Sequence, residues 1–245
     1  MQHCVNDENV KLEVEKLINW LKERVKEANA KGVVFGLSGG IDSSVVAALS
    51  VRAFGENALG IIMPCESNEN DEKDARLVAE SIGLKIEKVD LTNVYTEMIN
   101  SSFVANNKMA IANIKPRLRM TTLYYYAQEH NYLVCGCSNA SELYIGYYTK
   151  YGDSGSDIIP LAEYLKDEVF KLGEYLNIPN KILTKAPSAG LWEAQTDEKE
   201  MGFSYDDLNK HIRGEKVDDK IANRIEDMHR KSKHKREFAK MYNRE

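Results

Sequence analysis

The 245-residue sequence predicts an α/β fold, a doubly wound and mainly parallel sheet flanked by helices. Short apolar runs alternate with helix-length amphipathic segments, the order that builds βαβ units. One apolar run, Val33 to Leu37, passes straight into the small-residue turn Ser38-Gly39-Gly40 and then into a helix. Another, Leu84 to Leu91, alternates apolar and charged residues as an outer strand does.

Val10, Val14, Leu17, Ile18, Leu21, Val25 and Ala28 recur at helical spacing, so residues 9–29 form an amphipathic helix laid against the first strand. Gly32 releases the chain into Val33–Leu37. Ser43 to Phe54 is a helix, Ala58 to Met63 a strand ended by Pro64, and Asp71 to Ser81 a helix with Ala75, Val78 and Ala79 inward. After the outer strand, helices are expected from Asn93 to Asn106 and from Asn113 to His130. Pro116 falls in the first turn of the second, where proline is tolerated. Leu133 to Gly136 is a further buried strand. Ser138 to Asp157 reads as a loop rich in Gly, Tyr and Asp, Tyr164 to Leu176 as a helix, and 185–202 as a long connection without clear periodicity, a length typical of lids and binding loops. Beyond His211 the chain is highly charged, and no internal repeat is visible.

With 43% hydrophobic and 29% charged residues, the chain can bury a full core as one domain spanning 1–245. A formal net charge of -5 argues against generic nucleic-acid binding, which favours basic domains. The N-terminus lacks the layout of a signal peptide and no apolar run approaches membrane-spanning length, so no membrane partner is expected and the expected location is cytoplasmic. Cys4, Cys65, Cys135 and Cys137 form no CxxC pair. Zinc is therefore not expected, and reduced thiols are.

Chemistry centres on Gly36-Leu37-Ser38-Gly39-Gly40-Ile41-Asp42-Ser43-Ser44. A buried strand, adjacent glycines and hydroxyls opening a helix make a phosphate cradle, because free N–H groups and the positive helix end converge on one spot. No Gly-Lys pair and no GxG occur, which excludes a Walker loop and a dinucleotide fingerprint. In a parallel sheet, ligands bind beyond the carboxyl ends of the strands. The loops after Leu37, Met63 and Gly136 should therefore share one cleft. Taken alone, Asp42 could be only a helix cap, Glu142 a solvated acid, Lys166 an exposed helix residue, Asp153 a turn residue and the basic tail a solvated surface.

The SGGIDSS stretch resembles the PP-loop of the ATP pyrophosphatase (adenine nucleotide alpha hydrolase-like) superfamily, whose members cleave ATP between the α and β phosphates. Further stretches resemble the bacterial NAD synthetase family. These are Gly136-Cys137-Ser138-Asn139-Ala140-Ser141-Glu142, Gly146 to Asp153, Asp157 to Leu161, Asn113 to Met120, Ala186 to Leu191, Gln195 to Glu198 and His234-Lys235-Arg236. The resemblance runs over nearly the whole chain. It implies amidation of deamido-NAD with ammonia, driven by ATP through an acyl adenylate with release of pyrophosphate and AMP. It further implies Mg2+ held by Asp42 and Glu142, and ATP contacts from Gly36, Leu37, Ser38, Gly39, Gly40, Ile41, Asp42, Ser43, Ser44, Cys137, Lys166 and Ser188. Deamido-NAD is expected at Asn113, Arg117, Lys150, Asp157, His234 and Lys235, with Asp42 and Asp153 catalytic and Asp153 serving ammonia. Cys137 departs from the pattern, since the matching residue is commonly threonine. Either the contact passes to backbone or Ser138, or ATP binds more weakly.

The resemblance also implies a homodimer with the dinucleotide at the subunit interface. The PP-loop begins at residue 38, which leaves no room ahead of it for a glutaminase domain, so ammonia comes from solution or from a separate glutaminase. Another PP-loop ligase, such as the synthetase half of a GMP synthase or a tRNA-thiolating enzyme, is the nearest rival; the latter would be expected to carry paired catalytic cysteines and a basic RNA face. A nucleotide-binding module without catalysis would lose the metal, and Asp42 with Glu142 counts against it.

Overall fold

In the computed structural model, which describes residues 4–188 and 196–244, four short strands make one sheet. They are β1 (Gly32–Gly36), β2 (Ala58–Ile62), β3 (Lys85–Lys88) and β4 (Tyr132–Val134), in the order β3-β2-β1-β4. Every pairing is parallel, with Val34 opposite Leu59 on one side and Val134 on the other. The predicted α/β class and the outer position of the Leu84–Leu91 strand both hold. An isolated parallel bridge from Cys135 to Ile158 prolongs the sheet beyond β4.

Side chains leave a strand to alternate faces, and the core divides accordingly. Val33, Phe35, Ala58 and Ile62 enter one cluster with α1 (Val10–Glu27), α2 (Ile41–Phe54) and α8 (Lys166–Tyr175), through Leu21, Val45, Leu49 and Leu172. Val34, Leu59, Ile61 and Val134 enter the other, against Tyr95 of α4 (Thr92–Asn100) and Ala127 of α6 (Ile114–His130). A helix layer on each face is what lets fully apolar parallel strands stay buried. Between β2 and β3 runs α3 (Glu69–Ile82), started by Asn68, whose side chain accepts from the Asn70 N–H.

Three expectations need correction. The Asn93–Asn106 helix stops at Asn100, and a separate α5 (Lys108–Ala112) begins after Asn107. The reason is that Asn107 caps: its side chain accepts from Met109 and Ala110 N–H groups and so opens a helix instead of ending one. The Ser138–Asp157 loop contains α7 (Ala140–Ile145), and the 185–202 connection contains α10 (Asp197–Met201). Helices this short carry too few residues to show a 3.6-residue period. Following α9 (Asn180–Leu183), the chain ends in α11 (Tyr205–Ile212) and α12 (Asp219–Lys231). Ile145, Met201, Phe203, Tyr205, Leu208 and Ile225 form a third cluster there, outside the sheet. That satellite fixes α7, and with it Glu142, against the carboxyl edge.

Candidate active site

A cleft of about 1260 Å³ opens at the carboxyl ends of β1, β2 and β4. Gly36, Leu37, Ser38, Gly40, Ile41, Asp42 and Ser43 line it, as do Met63 and the loop after it, and Gly136, Cys137 and Ser138. The three loops expected to converge do so.

The turn after β1 is built from its own hydroxyls. Ser43 Oγ accepts from the Ser38 N–H at 3.3 Å and donates to the Gly40 carbonyl at 3.0 Å, and the Ser38 and Ser43 hydroxyls meet at 3.0 Å. Ser44 donates to the same carbonyl at 2.7 Å from a fully buried position beneath the turn. Gly39 has a φ of 77°, and a Cβ there would lie 2.7 Å from the Asp71 carbonyl. Only glycine fits both the left-handed backbone and the contact with α3. Gly39 and Ser44 thus shape the turn from behind, while their neighbours face the cleft. The amino end of α2, free of any side-chain cap at Gly40, points its N–H groups and dipole the same way.

Beside the turn, Lys166 Nζ is held 2.5 Å from Asp42 Oδ2 and 3.0 Å from Glu142 Oε1. Its side chain is only 2% exposed, so it is not the surface residue its helical position would give. Burial opposes its charge, but the two carboxylates outweigh burial and hold its pKa above the ordinary value. Burial also pushes Glu142 up to about 7, with Lys166 opposing and Asp42 and Asp197 adding to the rise. Asn139 ties the group together. Its amide donates to Asp42 Oδ1 at 2.8 Å, and its carbonyl oxygen accepts the Glu142 N–H at 3.0 Å. Tyr205 donates to Asp197 Oδ2 at 3.0 Å, with Glu142 Oε1 3.4 Å away.

Two carboxylates from the first turns of separate helices, sharing one lysine, fit a hard cation, which takes oxygen ligands and keeps several waters. Among the described residues, no group of three or more His, Cys, Asp or Glu is placed to hold an ion alone.

Across the cleft, Asp153 Oδ1 accepts the Thr149 N–H at 2.8 Å, and Thr149 Oγ1 donates to Asn113 Oδ1 at 2.9 Å. Burial raises the Asp153 carboxyl above its ordinary value, against the pull of backbone N–H groups and Lys235. At the mouth, Arg117 donates to the Lys150 carbonyl at 3.2 Å. Lys150 donates to the His234 carbonyl, and Lys235 to the carbonyls of Gly146 and Tyr148 at 2.6 Å each. Asn113, Arg117, Lys150, His234 and Lys235 all line the cleft.

Asp157 does not. It lines a separate groove of about 210 Å³ with Tyr124 and Gln128. Its Oδ2 accepts the Val134 N–H at 2.8 Å and its Oδ1 the Tyr124 hydroxyl at 3.0 Å. Placed just before the bridge at Ile158, it satisfies the end of β4. Cys137 lines the cleft with Sγ 4.0 Å from the Gly36 carbonyl, and burial, followed by nearby negative groups, keeps it a thiol. Ser188 also lines the cleft, whereas Ala189, Gly190, Leu191 and Gln195 lie outside the described residues.

Asn139, Tyr205 and Arg119 join the site without having been given roles from the sequence. Asn139 with a glutamate three residues on carries the signal of a helix start. For Tyr205, 63 residues from Glu142, no local pattern exists.

Residues 13–239 match the family model described as NAD synthase. The chain is 51% identical over 228 residues to the NH3-dependent NAD+ synthetase of Finegoldia magna, covering 93% of this chain and 94% of that protein. A structure described as NMN synthetase from Francisella tularensis superposes with a TM-score of 0.92 at 40% identity, covering 96% of this chain and 98% of that one. The NH3-dependent NAD synthetase structure from Campylobacter jejuni gives a TM-score of 0.81 at 29% identity, covering 96% and 99%.

Proposed function

The chain belongs to the NAD synthase family and amidates deamido-NAD to NAD with ammonia and ATP; we propose that it does so through an acyl adenylate formed in the cleft above. The observation that carries this route is the Asp42–Lys166–Glu142 group beside the phosphate turn, with Asp153 on the facing wall. Asp42 and Glu142 would hold Mg2+, which neutralises charge on the β and γ phosphates when bound. The N–H groups of the turn and of the first turn of α2 receive phosphate oxygens with little reorganisation. Lys166 keeps its proton and adds a positive charge to the same point. Arg117, Lys150, His234 and Lys235 gather the cations that an acidic protein needs to bind a dinucleotide. Asp157, turned to β4, would reach substrate only outside this cleft.

Asp153 is assigned to ammonia. Ammonium dominates at neutral pH, so a carboxylate that binds the cation and accepts its proton delivers the free base beside the adenylate. Asp153→Asn is therefore expected to release pyrophosphate at close to the normal single-turnover rate and to slow NAD formation by about 10²-fold. Quenched-flow assay of both products checks this, and equal loss of both would remove the division of labour. Cys137→Thr is expected to lower the apparent KM for ATP, because a hydroxyl is a stronger hydrogen-bonding group than a thiol. An unchanged or higher KM would show that the thiol is no handicap.

A second reading takes nicotinate mononucleotide as the acceptor, favoured by the 0.92 TM-score to the protein described as NMN synthetase. The amidated carboxylate is the same, so the two readings differ only at the mouth of the cleft. Purified protein with ATP, Mg2+ and ammonium or glutamine, offered deamido-NAD or nicotinate mononucleotide, separates them by kcat/KM. Xanthosine monophosphate is the control. No product with ammonium from either nicotinate substrate would sink the central reading.

We take the chain as a single cytoplasmic synthetase domain supplied with free ammonia, or with ammonia from a separate glutaminase. It is also taken to act as a homodimer. Exposed Tyr125 on α6, at 73% exposure, supports an interface on that helix. Light scattering across a concentration series tests it.

A further inference from the structure

Arg119 lines the cleft, and neither the sequence nor the preceding reading gives it a task. Residues two apart on a helix point to nearly opposite sides. Arg117 accordingly reaches the mouth, while Arg119 reaches the end of β2. There its Nε donates to the Met63 carbonyl at 3.1 Å and one Nη donates to Ser67 Oγ at 3.1 Å. A guanidinium has five N–H donors, so these two bonds leave capacity for more. Other inner cations are neutralised in place. Lys166 sits between Asp42 and Glu142, Lys185 between Asp71 and Asp74, and Arg76 and Lys88 share Glu72. Among the described residues, no carboxylate lies within ion-pair distance of Arg119, although burial works against its charge and Asp153 and Asp71 support it only from farther away.

Arg119 is only partly buried, but even partial withdrawal of a guanidinium from water without a counter-ion costs free energy, and such a charge is compensated when an anion arrives. Its place says which anion. The Met63 side chain packs beside Gly36, where a Cβ would come within 3.2 Å of it, at the root of the phosphate turn. On the other side stands Asp153, assigned to ammonia. We propose that Arg119 meets the α-phosphate of ATP, and then the acyl phosphate made from it, at the junction of these two halves.

This rests on the adenylate route given above. In that step a nicotinate carboxylate oxygen forms a bond to the α-phosphorus, the bond from that phosphorus to the oxygen bridging to the β-phosphate breaks, and its electron pair leaves with pyrophosphate. Two anions are driven together, so a fork of N–H donors on the non-bridging oxygens acts where negative charge accumulates.

The test combines Arg119→Ala, Arg119→Lys and Ser67→Ala with the two diastereomers of ATP carrying sulfur on the α-phosphate. Arg119→Ala is expected to slow pyrophosphate release by about 10²–10³-fold, and Arg119→Lys, which keeps the charge but loses the fork, to recover only part. The wild type should discriminate against one sulfur diastereomer, and that discrimination should vanish in both Arg119 variants. Ser67→Ala, which removes the tie from Arg119 to the loop together with the acceptor of the Cys65 N–H, should keep it. If Ser67→Ala reproduced the loss, or if the folded Arg119→Lys variant retained wild-type discrimination, Arg119 would be holding the loop and not the phosphate. A parallel run with oxygen-18 in the substrate carboxylate separates the two levels. Label must reach AMP in the wild type; no transfer overturns the adenylate route itself, whereas transfer with unchanged discrimination in the variants overturns Arg119 alone.

Discussion

Asp42→Ala is expected to abolish pyrophosphate release, lowering its rate by at least about 10³-fold. Asp42 stands in the first turn of α2, with Oδ2 on Lys166 and Oδ1 on Asn139. On the proposed reading, the methyl group removes an oxygen ligand and a charge from the point where the leaving phosphates gather. It also leaves the lysine with one acid and the Asn139 amide without the Asp42 acceptor. Deamido-NAD binding, which the proposal places at the mouth residues, should change by only a few-fold, so calorimetric titration separates a lost chemical step from a lost fold. Asp42→Asn keeps the shape and one acceptor but not the charge. Retention of most of the pyrophosphate-forming rate in Asp42→Asn would sink the metal-ligand assignment.

Lys166→Met should lower stability as well as rate. Breaking a buried ion pair by removing one member costs about 3–5 kcal/mol, a fall in Tm of roughly 6–20 °C for a chain of this size. The pH dependence identifies the cause. The Glu142 carboxyl, already pushed up to about 7 from 4.5 by burial, rises further once its cation is gone. A folded pKa above the unfolded value means that stability is fully present below the unfolded pKa and is lost as pH rises through the folded one. The deficit of Lys166→Met relative to the wild type should therefore be flat in mildly acidic solution, where Glu142 is protonated in both folded proteins, and grow as pH rises through about 7 and beyond. In the double variant with Glu142→Gln, part of the loss should return. A deficit independent of pH would point to packing and not to the stranded carboxylates.

These expectations show which features were legible in the sequence. The β1-turn-α2 unit is local: glycine at a φ of 77° and hydroxyls three to five residues apart build it from adjacent residues. Strand runs of mixed Val, Ile and Leu likewise declared a sheet buried on both faces. Lys166 was legible only through the family resemblance and not from its own spacing, which points outward, because its burial depends on acids 124 and 24 residues away in the chain. Asp157 shows the converse. The resemblance implies a substrate contact for it, and the fold gives its carboxylate the Val134 N–H just before the bridge at Ile158. Local pattern reports the conformation of a segment, whereas a site made between segments depends on the packing that joins them.

The sheet ends at β3, whose sequence Lys85-Ile86-Glu87-Lys88 exposes both lysines. An open strand edge can template the addition of another strand, and lysines along it oppose that by charge repulsion. A second copy is thereby discouraged from extending the sheet and is left the helical surfaces to meet on. The same repulsion opposes edge-to-edge stacking of sheets at β3, the first step of fibrillar growth from that strand.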